Sequence, residues 1–530
     1  MAANPAATGG EYQEYTSFTR WIILVTVMLG TILEVLDVSI VNVSIPDMMG
    51  NLGATLDQIS WVSTAYIIAN VIILPLTGWL SSYFGRRKYL AFSMALFTTA
   101  SFFCGTARSL NALIFFRILQ GAGGAALLST AQATIMEVFP PAQLGMVQAI
   151  FSLGVVVAPT LGPTMGGWIS DNYSWPWIFF VNVPIGILAT IMTLIFVRDS
   201  KFQKAPTSRV DVVGIGLLAV GIGSLQAMLE KGNREGWLDS ELIRWLMAGA
   251  IIGLALFVLW ELHTPNPAVN LRVLRNRGLA AGTVYAAVLG FGLYGGIFIL
   301  PVFLQSIRHY SAMQSGMIVL PGGVATLLML PIMGRLVMKT PPRNLVALGS
   351  IGLMTSMFWL HGITADTGPD QIFWPLVLRG ASLGFMFVPL TLASLAGLHG
   401  RDLAGGTGLY NLMRQLGGSA GIAFLSTLLD HRTALHRASL VEHVNAYSPA
   451  FTIRLAALTQ GFLAKGFPAP VAQKQALSVI DGAVSVQAAI MAYEDAFLVV
   501  GVAFMLAFPL LILFKKQKPG ESLAARGAGH

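Results

Sequence analysis

The chain has 530 residues, of which 55% are hydrophobic and 11% are charged, whereas a typical soluble domain has about 25% charged residues. This composition excludes an ordinary soluble domain and indicates a polytopic membrane protein. The formal net charge of +8 does not indicate nucleic-acid binding, because the basic residues gather in short loops on one side of the predicted spans. The single cysteine, Cys104, excludes an intrachain disulfide and a cysteine-based metal site.

About fourteen segments are apolar over roughly the 20 residues that a membrane-spanning helix needs. The sequence therefore predicts an all-α polytopic membrane protein. The segments comprise a first group of six, a middle pair and a last group of six. They lie at 21–45, 59–80, 90–107, 112–136, 144–168 and 177–197, then 211–230 and 243–262, then 279–304, 315–338, 344–362, 373–396, 404–429 and 490–514.

The first span carries two acids, Glu34 and Asp37, whose spacing of three residues places them on one face of a helix. An ionised carboxylate near the middle of a membrane costs at least a few kcal/mol, so it persists only where a cavity, a partner or a proton relieves it. We expect Asp37, together with Glu34, to bind and release protons. The alternatives are that Asp37 makes a structural hydrogen bond to a neighbouring helix and that Glu34 only lines water or snorkels.

A third charged residue, Arg117, lies within span four, where an unpaired guanidinium would be very costly. We expect Arg117 to pair with the acid on span one, or to sense it, and so to link protonation to opening. The alternative is a structural arginine that holds loops or carbonyl groups near the membrane face. The candidate proton-coupling residues are thus Asp37, Glu34 and Arg117.

The end of span two with the loop after it, and span five, have the composition expected of segments that change conformation during transport. Glycines let helices approach closely, while prolines remove backbone donors and kink a span. We expect both segments to gate the interface between two bundles; the alternatives are a positive loop that only sets topology and simple close packing. The candidate gating residues are Gly78, Gly85, Arg86 and Arg87 in and after span two, and Pro159, Gly162, Pro163, Gly166 and Gly167 in span five.

Polar and aromatic residues within the spans are candidates for a substrate pocket, because ligand sites combine apolar walls with a few polar groups. Arg414 would suit an anionic or zwitterionic substrate, or act as a counter-ion for the two acids; alternatively it snorkels to headgroups. The candidate substrate-binding residues are Tyr66, Asn70, Gln148, Tyr285, Tyr294, Tyr410, Asn411, Arg414 and Gln415.

An internal repeat supports a design of two bundles. The segment 74–80 that closes span two is echoed by 330–336, which closes span ten, and glycine pairs with the same separation occur in spans five and thirteen. Parallel repeats of about six helices, with substrate bound between them, are typical of the major facilitator architecture. The predicted domains are a tail (1–20), a six-helix bundle (21–197), a linker with two additional helices (198–278), a second six-helix bundle (279–514) and a second tail (515–530).

The basic residues predict the orientation of the chain. They cluster at 86–88, 198–209, 272–277 and 515–518, whereas short loops on the other side such as 47–58 and 363–372 carry none. Because cytoplasmic loops are enriched in lysine and arginine, and because the number of spans is even, we expect both termini in the cytoplasm.

The segment 430–489 then lies outside the cytoplasm. It is long and polar, but 450–463 and 471–490 have the apolar spacing of helices. We expect this extracytoplasmic segment to be a partner surface, because its apolar residues would otherwise be exposed; the alternative is a disordered loop without a partner. Its histidines lack a zinc-binding spacing, so we expect no metal site.

Five motifs occur in an order and spacing that resemble those of a known family. They are 36–46 in span one, 78–88 after span two, 116–121 in span four, 154–167 in span five and 177–186 at the entry to span six. Together they resemble the fourteen-helix drug:proton antiporters of the major facilitator superfamily, the EmrB/QacA type. The middle pair of spans and the long segment before the last span are similar to the EmrB subtype.

This resemblance implies a major facilitator fold with two six-helix bundles and two extra helices between them. It also implies proton antiport, an export bias from span five, and a docking site on the long extracytoplasmic segment for a membrane-fusion adaptor (EmrA-like) that reaches an outer-membrane channel. The chain departs from the family pattern at Ser82 and Tyr83, where an acid and a base are usual, which puts the charge relay of that loop in question. Glu34 is likewise not part of the usual first-helix motif.

The sequence therefore predicts a proton-coupled secondary exporter of amphipathic small molecules, not an enzyme, in the inner membrane of a bacterial cell among its lipids. It has no glycine-rich phosphate loop followed by lysine and serine or threonine, so we expect the proton gradient, and no cofactor, to supply the energy. An exporter of a specific metabolite, siderophore or fatty acid and an importer remain alternatives, since fold does not fix substrate. A membrane enzyme or scaffold would need a polar catalytic cluster or a soluble domain, and the sequence shows neither.

Overall fold

The computed structural model describes residues 15–199, 211–398, 400–445 and 447–514, and these ranges are helical without any strand. The tail 515–530, most of the tail 1–20 and most of the basic loop 198–209 lie outside them. The first half contains α1 (Ser17–Val43), α2 (Ile45–Leu52), α3 (Leu56–Ile73), α4 (Thr77–Phe84), α5 (Arg86–Thr106), α6 (Leu110–Val138), α7 (Pro141–Asn172), α8 (Trp177–Phe180) and α9 (Asn182–Phe196). The middle pair is α10 (Val212–Lys231) and α11 (Glu241–His263). The second half contains α12 (Arg277–Ser306), α13 (Ala312–Leu336), α14 (Pro342–Leu360), α15 (Pro369–Ser394), α16 (Gly400–Glu442), α17 (Pro449–Ala464) and α18 (Ala469–Ala507).

The all-helical membrane fold predicted from the sequence is confirmed. Within the described residues, 11 helical segments are long and apolar enough to cross a membrane. The other three predicted spans fall on α7, α14 and α16, which do not meet that criterion over their described residues. The count of fourteen spans therefore stays a prediction.

Local sequence signals explain several helix ends. Thr55 and Gln58 form a reciprocal capping box at the start of α3, and Ser311 and Gln314 do the same at the start of α13, so the first free N–H groups of each helix are satisfied. Gly85 separates α4 from α5 with a φ of +84°, a backbone conformation that glycine adopts without steric cost. The turn between α4 and α5 therefore depends on this glycine.

The helices pack as two groups with the middle pair between them. In the first half α1 packs against α6, α7 and α9, and in the second half α12 packs against α15, α16 and α18. The halves meet where α7 packs on α13 and where α16 packs on α4 and α6. Because α10 packs on both α3 and α16, the middle pair touches both halves.

The turn between α10 and α11 also connects the two halves. The Lys231 ammonium lies 4.5 Å from the ring centre of Trp61 on α3. A few residues later, Trp237 Nε1 donates a hydrogen bond of 2.8 Å to Thr427 Oγ1 on α16. We call residues 231–237 the strap, because they hold one side chain from each half.

Close backbone contacts join the halves at one end, which we call the basic end because the loops with Arg86 and Arg272 lie there. A β-carbon on Gly78 of α4 would lie 2.6 Å from the backbone nitrogen of Gly405 on α16. A β-carbon on Gly334 of α13 would lie 2.8 Å from the carbonyl oxygen of Gly145 on α7. Glycine is required at such positions because any side chain would force the helices apart.

The segment 430–489 is mostly helical, so an entirely irregular loop is excluded for its described residues. α16 has 43 residues and α18 has 39, which correspond to about 65 Å and 60 Å of helix and exceed a hydrocarbon core of about 30 Å. Both helices therefore project beyond a bilayer, joined through α17. The predicted helix at 450–463 is confirmed by α17, whereas the predicted last span, 490–514, belongs to a helix that already begins at Ala469.

Candidate functional site

Asp37 lies at the centre of a buried polar cluster in the first half. Its carboxylate forms an ion pair with Arg117 of α6, and both side chains are almost completely inaccessible to solvent. The same carboxylate accepts hydrogen bonds of 2.8 Å from Gln120 Nε2 and 3.1 Å from Asn182 Nδ2. Asp37 thus connects α1 with α6 and α9.

Arg117 is held from several sides. Its Nε donates to the carbonyl oxygen of Val62 at 3.0 Å, and its Nη1 donates to Gln120 Oε1 at 2.8 Å as well as to Asp37. The guanidinium carbon also lies 4.1 Å from the ring centre of Tyr66, a cation–π contact. The pairing of Arg117 with the acid on span one is therefore observed, while its role in coupling stays a prediction.

Sequence reasoning missed three members of this cluster: Gln120, Asn182 and Ser101. Ser101 Oγ accepts hydrogen bonds of 3.2 Å from both amides. The available signal was the presence of polar amides inside apolar runs, since Gln120 lies in the motif 116–121 and Asn182 in the motif 177–186. Buried polar residues of this kind need partners, but the sequence does not say which.

Glu34 has a different environment from Asp37, although the two acids share a helix face. One carboxylate oxygen accepts a hydrogen bond of 3.3 Å from Asn70 Nδ2, and the other accepts a bond of 3.0 Å from the backbone N–H of Leu128. Glu34 is 7% exposed. Among the described residues, no cation lies within ion-pair distance of it, so its two hydrogen-bond donors are both neutral.

A small cavity of about 20 Å³, enough for one or two water molecules, lies between the two halves. α6 and α7 contribute one wall and α15 and α16 the other. Four of the predicted substrate-binding residues, Gln148, Tyr410, Asn411 and Arg414, line it. Its lining residues are Leu128, Gln132, Gln148, Phe151, Ser152, Val155, Phe387, Thr391, Tyr410, Asn411 and Arg414.

The polar lining of the cavity has both satisfied and free groups. Asn411 Nδ2 donates across the halves to Gln132 Oε1 at 3.0 Å and to Ser129 Oγ at 3.3 Å. Gln148 Oε1 and Arg414 Nε have no hydrogen-bond partner among the described residues. Because buried polar atoms are normally paired, these two groups are available to a bound molecule.

The other predicted substrate-binding residues do not line this cavity. Tyr66 and Asn70 lie beside the two acids, as described above. Tyr285 forms a hydrogen bond with Ser350 inside the second half. Tyr294 lies against Gly418, where a β-carbon would meet its ring, and Gln415 is half-buried on α16.

The loop after span two is held by acids from elsewhere in the chain. Arg86 forms a double hydrogen bond with Glu137 at the end of α6, with both distances 2.8 Å. The backbone N–H of Arg87 donates to Asp199 Oδ1 at 2.9 Å. Ser82 instead makes only a local bond to the carbonyl oxygen of Gly78. Arg86 therefore pairs with an acid outside the loop, Glu137, which the sequence analysis did not identify.

The glycines of span five lie against the first helix. A β-carbon on Gly162 would collide with Ser39, one on Gly166 would lie 2.9 Å from Ile40, and one on Gly167 would meet only Val43 at 3.9 Å. α7 continues as one helix past Pro159, whose side chain is half-buried; the side chain of Pro163 lies outside the described residues. These glycines thus give close packing of α7 on α1, and their gating role stays a prediction.

Comparison with protein families shows to which family this chain belongs. The family model of the Major Facilitator Superfamily matches residues 27–422. The chain belongs to the Major Facilitator Superfamily. The resemblance to EmrB-type members is confirmed as well: the chain is 38% identical over 430 residues to the multidrug export protein EmrB of Escherichia coli (strain K12), which covers 81% of this chain and 84% of that protein.

Two further relatives extend over nearly the whole chain. The fatty acid resistance protein FarB of Neisseria gonorrhoeae is 35% identical over 93% of this chain and 96% of its own length. The colistin resistance protein EmrB of Acinetobacter baumannii is 28% identical over 94% of this chain and 97% of its own length.

Solved structures confirm the major facilitator fold. The proton:xylose symporter XylE, bound to 6-bromo-6-deoxy-D-glucose, superposes with a TM-score of 0.61 at 14% identity, over 96% of this chain and 100% of that one. The human organic anion transporter MFSD10 (TETRAN) gives a TM-score of 0.60 at 13% identity, over 93% of this chain and 99% of that one. At such identities the similarity shows the fold alone.

Proposed function

We propose that this protein is a proton-coupled secondary exporter of amphipathic compounds, multidrug efflux included, and that it works by alternating access. The observation that carries the proposal is a small cavity between two helical halves, with glycine contacts between the halves at the basic end and with the buried acid Glu34 bonded to Leu128 of the cavity lining. A site enclosed by two bundles that rock against each other can open to one side at a time. The printed names of the EmrB relatives support export of drugs as its direction.

The orientation follows from the positive-inside rule. The basic end, with Arg86–Lys88 and Arg272–Arg277, then faces the cytoplasm of a bacterial cell, and the protein lies in the inner membrane with both termini inside. In this orientation the closed end of the structure is the cytoplasmic end, so the cavity is shut towards the cell interior.

Inside-out membrane vesicles test the proposal. A proton gradient is formed with respiratory substrate and followed with a pH-sensitive dye, and a cationic or weakly acidic amphipathic drug is then added. We expect the drug to dissipate the gradient in vesicles that contain the protein and not in vesicles without it. Drug uptake that requires ATP after the gradient has been abolished would refute proton coupling.

We also propose that α17 and the projecting ends of α16 and α18 form the docking surface for an EmrA-like membrane-fusion adaptor, which in turn contacts an outer-membrane channel. α17 has no buried residue. Large apolar side chains are exposed here, among them Leu435 at 57% and Ile453 at 70%. Contiguous exposed apolar surface in an aqueous region is typical of protein contact sites.

Co-purification tests the docking surface. The full chain is expressed with a tagged EmrA-like adaptor, and the amount retained is compared for wild type, Ile453→Glu and the control Gln460→Glu. Ile453→Glu places a charge in the apolar surface, so we expect it to reduce retention, whereas the control changes a residue that is already polar and exposed. Equal retention of both variants would remove α17 from the contact.

A further inference from the structure

The strap lies at the end of the molecule opposite the basic end. α10 has 20 residues from Val212 to Lys231, which corresponds to about 30 Å of helix, so its last residue is one membrane thickness away from its first. On α16, Thr427 lies about 28 Å further along than Gly408, which meets Leu74 at the basic end. The glycine contacts therefore join the two halves at one end, and the strap joins them at the other.

Side-chain hydrogen bonds attach the strap to the second half. Trp237 Nε1 donates to Thr427 Oγ1 at 2.8 Å. Asn233 Nδ2 donates to Asp430 Oδ2 at 2.9 Å, one turn further along α16. A third bond of 2.9 Å joins Gln226 of α10 to the same helix. Because all three acceptors belong to α16, the strap follows α16 when the halves move.

The backbone of the strap is folded so that Trp237 reaches α16. Trp237 has a φ of +54°, which is a strained conformation for a residue with a β-carbon and persists only where the surroundings enforce it. The preceding residue, Gly236, has a φ of +71°, and the backbone N–H of Trp237 donates to the carbonyl oxygen of Gly232 at 2.8 Å. The strap is therefore a compact turn, which cannot lengthen without losing its own bonds.

Lys231 holds the strap to the first half. Its ammonium lies 4.5 Å from the ring centre of Trp61 on α3, and the residue is 5% exposed. A buried ammonium at the end of a membrane span needs a partner, and tryptophan is the best aromatic partner for a cation. Separation from Trp61 would return the ammonium to water, which offsets the loss of the contact. The contact with Trp61 can therefore break while the three bonds to α16 persist.

Alternating access requires the halves to separate at one end at a time. Separation at the strap end moves α3 away from α16, and the compact strap, which follows α16, must then leave Trp61. We propose that Lys231 of the strap and Trp61 of α3 form a latch that holds the extracytoplasmic end closed and that breaks when the cavity opens to that side. The latch rests on the alternating access proposed above, but its opening can be measured without transport.

Thiol labelling measures the opening of this end. Ser152 lines the cavity and is 4% exposed, so Ser152→Cys in a Cys104→Ala background reacts with a membrane-impermeant thiol reagent only when one end opens. The reagent is added to right-side-out vesicles, which present the strap end to it. We expect Lys231→Met and Trp61→Leu each to increase the labelling rate about two- to tenfold, as expected for the loss of one cation–π contact. Because both changes remove the same contact, the double variant should label no faster than Lys231→Met alone.

Two further variants separate a latch from a general loosening of the protein. Trp61→Phe keeps an aromatic face for the ammonium and should label at close to the wild-type rate. Lys465→Met is the matched control, because Lys465 lies 5.8 Å from the ring centre of Phe462 at the end of α17, outside the strap. We expect this control to leave the labelling rate unchanged.

The remaining outcomes decide between the latch and the proposed function. An unchanged rate in Lys231→Met, an equal increase in Lys465→Met, or a faster rate in the double variant than in Lys231→Met would overturn the latch. If Lys231→Met does not reach the membrane, the two Trp61 variants decide alone, and equal labelling of Trp61→Leu and Trp61→Phe overturns the latch. Alternating access itself would be refuted if Ser152→Cys were labelled from neither side of the membrane, whereas a wrong latch leaves that labelling in place.

Discussion

Replacing Gly334 by alanine tests whether the glycine contacts at the basic end hold the two halves together. A β-carbon at Gly334 would lie 2.8 Å from the carbonyl oxygen of Gly145 and 2.9 Å from the β-carbon of Ala149. These neighbours are fixed to a helix backbone and cannot rotate away, so α13 must move from α7 by about 0.5 Å or more to recover an ordinary contact distance. Overpacking of this kind costs about 1–3 kcal/mol.

The cost applies only to the state in which the basic end is closed, because the contact is lost when the halves separate there. A difference of about 1–3 kcal/mol shifts a two-state equilibrium by about 5- to 150-fold. We therefore expect Gly334→Ala to increase the population that is open at the basic end. A cysteine introduced at position 404 measures the population that is open at the basic end. Ala404 is only 6% exposed in the present structure and borders a small space next to Arg86.

The assay uses Ala404→Cys in a Cys104→Ala background and measures maleimide labelling from the basic side. Labelling should be faster with Gly334→Ala than without it. Gly316→Ala is the matched control, because Gly316 lies on the same helix and a β-carbon there would meet nothing within 4 Å. Equal labelling rates for the two alanine variants would refute the argument that glycine contacts close this end.

Three further predictions concern contacts between elements. Arg86→Gln should lower the melting temperature in detergent, because it removes both charge-assisted hydrogen bonds to Glu137, and adding Glu137→Gln should then lower it little further; additive losses in the double variant would contradict this. Trp237→Phe should remove about 1 kcal/mol of stability through its bond to Thr427, and Thr427→Val should then add little; additive losses in denaturant unfolding would exclude a shared bond. Gln148→Ala should raise the KM for export about two- to tenfold, because it removes the free amide oxygen that lines the cavity, and an unchanged KM would exclude this wall of the cavity.

The pairing of Asp37 with Arg117 was predictable from the sequence for a physical reason. A carboxylate and a guanidinium inside apolar spans are each so costly alone that they must find partners, and opposite charges on separate spans are the obvious pair. The same reasoning could not identify Glu137 as the partner of Arg86. Glu137 lies at the end of a span, where water was an equally acceptable partner.

The environment of Glu34 could not be predicted from the sequence either. Its partners are the amide of Asn70, which is one of several amides in the spans, and a backbone N–H, which every residue except proline carries. The location of Tyr285 could not be predicted from the sequence either. A tyrosine in a span suits a pocket wall as well as a hydrogen bond inside a bundle, and here it bonds Ser350. Only the packing of the helices distinguishes the two.

The glycine pairs of the internal repeat acquire a mechanical meaning in the structure. Gly145 on α7 and Gly408 on α16 meet backbone of the opposite half, at Gly334 and Leu74. Nine residues further along each helix, Gly154 meets α1 at Ile32 and Gly417 meets α12 at Ala287, each within its own half. Each crossing helix is thus packed on the other half at the basic end and on its own half about 13.5 Å further along. Opening of the basic end must therefore break the first contact of each pair while the second keeps α7 and α16 attached to their own halves.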